Sequence, residues 1–97
     1  MYGTIARFRA KPGMEERLKE QLHEFDEAKV PGAIAEYVYK SDSDPNVYEL
    51  AVVFESKEAY FANANSPEQN ARYERLMEMM SGEPEWHDGE IVYSNMH

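Results

Sequence analysis

The stretch Val47 to Glu55 constrains this chain more than any other. It alternates as a strand does, with Tyr48, Leu50, Val52 and Phe54 on one face. Val47, Ala51 and Val53 make the opposite face apolar as well, and only Glu49 and Glu55 break it. A strand with one solvated side is polar on that side, so one that is apolar on both belongs in a sheet covered on both sides. The chain has 97 residues, a length that points to a single domain over residues 1–97, since domains usually run from ~50 to ~250 residues. Two covering layers are a large demand on so short a chain.

The remaining segments supply the partners. Tyr2 to Ala10 alternates around Ile5 and Phe8 and reads as a strand, stopped by Lys11-Pro12-Gly13. From Met14 the period changes: Met14, Leu18, Leu22 and Phe25 form one helical stripe, with Glu15 and Glu16 in the first turn, Lys29 in the last and Pro31-Gly32 as the stop. Ala33 to Lys40 is the next strand, with Ala33, Ala35, Tyr37 and Tyr39 on one face and Ile34, Glu36, Val38 and Lys40 on the other. Ser41 to Asn46 is dense in turn formers and joins it to Val47–Glu55 as a hairpin. Ser56 caps a short helix through Ala62. Ser66-Pro67-Glu68-Gln69 is a stronger start, with serine as cap, proline in the first turn and Gln69 as capping-box partner. Its stripe carries Tyr73, Leu76, Met77 and Met80, and Met79 falls off it. After Ser81-Gly82-Glu83-Pro84 come Trp86, an Asp88-Gly89 turn signal and a short Ile91-Val92-Tyr93 strand.

This order, βαββαβ, is the ferredoxin-like split motif: an α+β domain with a four-stranded antiparallel sheet and helices on one face. The second face then has no cover within the chain. Val47–Glu55, Ile34, Val38, Ile5 and Ala6 supply a surplus of apolar groups there, and a contiguous exposed patch of that kind marks an interface. Two copies with facing sheets satisfy it, and two-fold pairs are the commonest closed assembly. Lys and Arg number 10 against 19 Asp and Glu, a net charge of −9, which argues against nucleic acid and anionic membrane surfaces. No cysteine is present, so disulfides, thiolate metal sites and thiol catalysis are excluded. No apolar run approaches the ~20 residues of a span. Met1-Tyr2-Gly3-Thr4 lacks the regions of a signal peptide, and the expectation is a cytoplasmic domain.

Three segments carry a resemblance over nearly the whole chain: Ile5-Ala6-Arg7-Phe8-Arg9-Ala10-Lys11-Pro12-Gly13, Val53-Phe54-Glu55-Ser56-Lys57-Glu58-Ala59-Tyr60, and Asn65-Ser66-Pro67-Glu68-Gln69-Asn70-Ala71-Arg72-Tyr73, with Glu85-Trp86-His87-Asp88-Gly89-Glu90 as a common ending. The chain resembles the antibiotic-biosynthesis-monooxygenase-like (ABM) domain of the dimeric α+β barrel superfamily. That superfamily holds cofactor-free quinol and anthrone oxygenases, haem-degrading enzymes and members of unknown role. In the haem-degrading branch the site combines a first-strand Asn, a Trp in the short helix before the serine turn and a His one helical stretch later. Here those positions fall near Ala6 or Arg7, at Asn63 and at Tyr73. All three diagnostic residues are absent, although tyrosine ligates haem iron in some proteins.

The oxygenase branch implies a cofactor-independent monooxygenase acting on a small quinol or polyphenolic aromatic substrate, with no metal or flavin. Its pocket is expected between helices and sheet. The candidate catalytic groups are His23, Asn63 and Tyr73, and the candidate substrate-binding groups are Tyr37, Phe54, Phe61, Met77 and His87. Each has a plainer reading. His23 beside Glu24 suits a solvated helix face, Tyr73 and Met77 suit the core, Asn63 suits a helix break, and Trp86 suits an interface or core anchor. His87 with Asp88 and Glu90 lacks a recognised metal-ligand spacing. No Gly-rich phosphate loop or nucleophile elbow occurs. The alternative is a non-catalytic small-molecule-binding or structural dimer module of the same fold.

Overall fold

The computed structural model describes residues 1–96. Its elements run β1 (Tyr2–Arg9), α1 (Glu15–Glu27), β2 (Ala33–Lys40), β3 (Val47–Phe54), α2 (Lys57–Ala64), α3 (Pro67–Met77) and β4 (Glu85–Glu90). The four strands form one antiparallel sheet in the order β2-β3-β1-β4. This is the ferredoxin-like arrangement, with the second helical unit split in two.

The split has a local cause. Ser56 Oγ accepts from Ala59 N at 3.1 Å and Ser66 Oγ accepts from Gln69 N at 3.1 Å, so each serine starts its own helix. Pro67 follows Ser66 in the first turn of α3, where its missing N–H costs nothing. The side chain of Gln69 does not return to close a capping box; its Oε1 accepts from Arg72 Nε at 3.1 Å. Helix α1 ends before Lys29, which takes a left-handed φ of 50° past the Ala28 cap and so lies outside the last turn.

Pairing assigns the faces. On one side lie Thr4, Ala6 and Phe8 of β1, and Tyr48, Leu50, Val52 and Phe54 of β3, all buried beneath the helices. Leu18, Leu76, Met79 and Met80 complete that core, with Leu22, Phe25 and Tyr60 packed against it. On the other side Ile5 opposes Ala51, Tyr37 opposes Ala51 from β2, and Tyr39 opposes Glu49. Ile5, Tyr37 and Tyr39 are 58%, 56% and 60% exposed. The open face is therefore apolar at its centre, as the two-sided β3 requires, but its membership differs from expectation. Ala6 is wholly buried under the helices, and Val38 shares that side opposite Leu50. A register shift between Ala33 and Ala35 also breaks the simple alternation of β2, so Ala33 opposes Phe54 while Ala35 opposes Val53.

Two further corrections concern the C-terminal third. The final strand is Glu85–Glu90, running straight through Asp88-Gly89, and Ile91-Val92-Tyr93 lies beyond it. Nothing in Glu85-Trp86-His87-Asp88-Gly89-Glu90 favours a strand except Trp86; the segment is held by pairing from Arg7↔Glu85 to Tyr2↔Glu90. Met79 is buried because α3 has ended before it. Lys11 N donates to Met79 O at 2.8 Å, and Met80 bridges Ala10, so helical spacing no longer applies. At Gly3 a Cβ would stand 2.0 Å from the carbonyl oxygen of Val52, so β1 and β3 approach as they do only with glycine there.

Candidate active site between helices and sheet

A cavity of about 310 Å³ opens between the helix layer and the sheet, and every element contributes to its wall. Phe54, Val52 and Leu50 of β3 form the floor with Thr4 of β1, and Trp86 of β4 closes one end. Gln21, Leu22 and Phe25 come from α1, Tyr60, Asn63 and Ala64 from α2, and Gln69, Asn70, Arg72 and Tyr73 from α3. Glu36 enters from β2, because its place opposite Val52 puts it on the helix-facing side.

The aromatic wall is a linked set. The Tyr60 ring meets Phe54 edge-on at 5.5 Å, and Tyr73 lies 5.8 Å from Trp86. Such pairs hold rings in preferred orientations and add ~0.5–1.5 kcal/mol beyond burial. The Tyr60 hydroxyl donates to Asp88 Oδ1 at 2.9 Å. Burial first, and then this carboxylate, push the phenol up to about 12, so it stays protonated. Thr4 Oγ1 lies near enough to temper that rise, yet makes no hydrogen bond of ordinary geometry.

Thr4 Oγ1 and Gln21 Nε2 are the two buried side-chain polar atoms without a partner among the described residues, and both belong to this wall. An unsatisfied buried polar group costs ~1–3 kcal/mol. Glu36 adds a half-buried carboxyl that makes no hydrogen bond or ion pair with the described residues. Burial, and then the negative charge of Asp26, push it up to about 7. Arg72 is fixed more fully. Its Nε donates to Gln69 Oε1, its Nη2 donates to Asn63 Oδ1 at 3.4 Å, and the guanidinium lies 5.8 Å from the centre of the Phe25 ring.

Of the residues proposed from sequence, the cavity brings together Asn63, Tyr73 and Phe54. Asn63 sits within α2, its carbonyl accepting from Ser66 Oγ at 2.8 Å, and Tyr73 is half-buried with its hydroxyl in no hydrogen bond among the described residues. The other five lie outside. His23 is on the solvated face of α1, 3.2 Å from Glu27 Oε1 and 3.9 Å from Asp26 Oδ2. Tyr37 and His87 are on the open side of the sheet, where His87 opposes Ile5. Phe61 follows Tyr60 round α2 and packs against Tyr2 at 5.7 Å, while Met77 sits one turn beyond Tyr73 against the core. Glu36, Arg72, Gln21, Trp86, Thr4 and Tyr60 are among the wall residues that were not candidates from sequence. The available signal was Glu36 itself, a carboxylate sharing a strand face with Val38. No group of three or more His, Cys, Asp or Glu among the described residues is placed to hold a metal ion. No helix among them is long and apolar enough to cross a membrane.

Comparison with known proteins places this architecture. The sequence profile of the family described as antibiotic biosynthesis monooxygenase matches residues 1–75. The cofactor-independent oxygenase SnoaB from Streptomyces nogalater, solved as an asparagine-to-alanine variant, superposes with a TM-score of 0.81 at 14% identity, covering 96% of this chain and 94% of its own. A protein of Chloroflexus aurantiacus J-10-fl named for the same family superposes at 0.79 with 24% identity, covering 98% and 96%. One from Nitrosomonas europaea, also so named, gives 0.77 at 18% identity, covering 96% and 100%. Among curated proteins none matches this sequence.

Proposed function

We infer the function from one premise: the chain belongs to the antibiotic biosynthesis monooxygenase family. On that basis we propose a cofactor-independent monooxygenase acting on a small quinol or polyphenolic aromatic substrate. The observation that carries the reading is the cavity, aromatic in its walls and retaining Thr4 Oγ1 and Gln21 Nε2 as buried polar atoms with no partner among the described residues. A chain tolerates that cost where a ligand supplies the missing hydrogen bonds. A volume of about 310 Å³ suits a compact aromatic molecule, at the lower end of the usual ~300–1,000 Å³ range.

The chemistry draws on the substrate's own electron-rich ring. Loss of a proton yields an anion that reduces O₂, and at a methylene carbon the balanced outcome is CH₂ + O₂ giving C=O and H₂O. Phe54, Tyr60 and Trp86 sandwich the ring and exclude water. Asn63, whose amide N–H₂ stays available while its Oδ1 accepts from Arg72, and Tyr73, whose hydroxyl is unengaged, hydrogen-bond the substrate oxygens. In this reading the open face, centred on Ile5, Tyr37 and Ala51, pairs with the same face of a second copy.

The test is oxygen consumption by the purified protein with a panel of quinols and anthrones. Uptake above the protein-free rate for at least one member supports the enzyme, provided the product has gained one oxygen atom and lost two hydrogens (a methylene converted to carbonyl, or a quinol to a hydroxyquinone), with the second oxygen released as water. Binding of panel members without uptake replaces it with the small-molecule-binding module, and no binding at all leaves a structural module.

A further inference from the structure

Among the described residues six basic side chains have no carboxylate partner: Arg7, Lys11, Arg17, Lys29, Lys57 and Arg72. Of these, Arg72 is the one that lines the cavity between helices and sheet. Arg9 pairs with Asp44, Lys19 with Glu16, Lys40 with Glu15 and Arg75 with Glu24. Arg72 has no such partner among the described residues and is held by two neutral amide oxygens and a ring face. Two of its five N–H donors are used, which leaves three for something else. In the same cavity Glu36 is a carboxyl that makes no hydrogen bond or ion pair among the described residues. The two do not neutralise each other: burial and Asp26 govern Glu36, and no positive charge relieves it. One cavity thus holds an unpaired acceptor of protons on β2 and an unpaired cation on α3.

We propose that Glu36 and Arg72 are catalytic residues acting as a pair: Glu36 takes a proton from the bound aromatic, and Arg72 holds the oxygen on which the negative charge settles. The step balances without a co-reactant. A C–H or O–H bond of the substrate breaks, the proton passes to a Glu36 carboxylate oxygen, and the electron pair delocalises to an oxygen across the ring. Such a separation suits a conjugated acid, in which the proton leaves at one end of the ring system and charge appears at the other. This inference rests on the oxygenase reading above, but deprotonation needs no O₂.

The groups facing Glu36 set its pH response. Asp26 of α1 opposes its ionisation. Tyr60 of α2 keeps its own proton through burial and Asp88 of β4. Arg72 and Tyr73 complete the ionisable wall from α3. A base poised near neutrality combines availability with driving force.

The experiment is hydrogen–deuterium exchange at the methylene carbon of anthrone, in D₂O without oxygen, followed by NMR with the full-length protein. The wild type accelerates exchange, with a rate that rises to a plateau through about pH 7. Glu36→Gln loses ~10²–10⁴-fold and the pH step with it. Arg72→Met loses ~10²-fold or more, and Arg72→Lys restores part of that while keeping the pH step. Circular dichroism confirms that each variant is folded. Exchange by Glu36→Gln at the wild-type rate, or no acceleration by the wild type, overturns the pair. Exchange without oxygen uptake in air keeps the pair and removes the oxygenase reading, whereas uptake without exchange does the reverse.

Discussion

The two faces of the sheet carry similar side chains and meet opposite fates. On the helix side Ala6, Phe8, Leu50 and Phe54 are buried; on the other, Ile5, Tyr37 and Tyr39 stay mostly exposed in a single chain. Tyr48 and Tyr39 are both strand tyrosines, one stacked on Phe8 at 5.7 Å and the other in the open. Apolar composition therefore does not distinguish a core position from one on the open face. What distinguishes them is which side the helices cover, and the helices fall on the side where α1 and α3 present Leu18 and Leu76.

The sharpest way to test this contrast is at matched depth in the sheet. Phe54→Ala removes a ring that is 1% exposed and a wall of the cavity; it should cost ~3–5 kcal/mol in urea unfolding. If two copies pair through the open face as proposed, the wild type has the solution mass of two 11.3 kDa chains, and the paired substitutions Ile5→Asp and Tyr37→Asp should reduce it to that of one. Measured at concentrations too low for association, they should change the chain's own stability by only ~0.5 kcal/mol or less. A large loss there would mean that the open face is part of the core of one chain.

Glu36 breaks the contrast in another way, as a carboxylate on the covered side. Its folded form holds a proton up to about 7 against an ordinary 4.5, so burial destabilises the chain progressively as pH rises through that window. Glu36→Gln should leave stability at pH 4 unchanged and raise it at pH 8 by ~1–2 kcal/mol, a figure already reduced for partial solvent screening. Equal pH dependence in wild type and variant would contradict this. A modest effect is expected at the cap of α3: Ser66→Ala should cost ~1 kcal/mol in thermal unfolding. Both of its hydrogen bonds, from Gln69 N and to Asn63 O, are then lost.

Much of the fold was legible because its signals are local. Pro12-Gly13 and Pro31-Gly32 punctuate, Met14, Leu18, Leu22 and Phe25 repeat with a helical period, and Ser66-Pro67 opens a helix whatever lies around it. Where local preference is weak, reading failed. Glu85–Glu90 is a strand only because the edge of β1 accepts it, and Met79 is core only because the chain has left the helix to bridge Ala10 and Lys11. The site divides in the same way. Phe54 lines the cavity from a strand face and Tyr73 from a helical stripe, and Asn63 entered through the family resemblance, while Tyr37 and His87 lie on the open side because strand alternation gives two faces without saying which the helices cover.

From sequence alone followed the order of elements, the ferredoxin-like class and an apolar surplus on the sheet, because periodicity, caps and turns act over a few residues. Only the tertiary structure decided which face is covered and which charges go unpaired. Pairing of β2 with β3 across the shift at Ala33 and Ala35 turns Glu36 into the cavity, and the packing of α3 over α1 lays Arg72 on Phe25. Those are contacts between segments tens of residues apart, and no local preference encodes them.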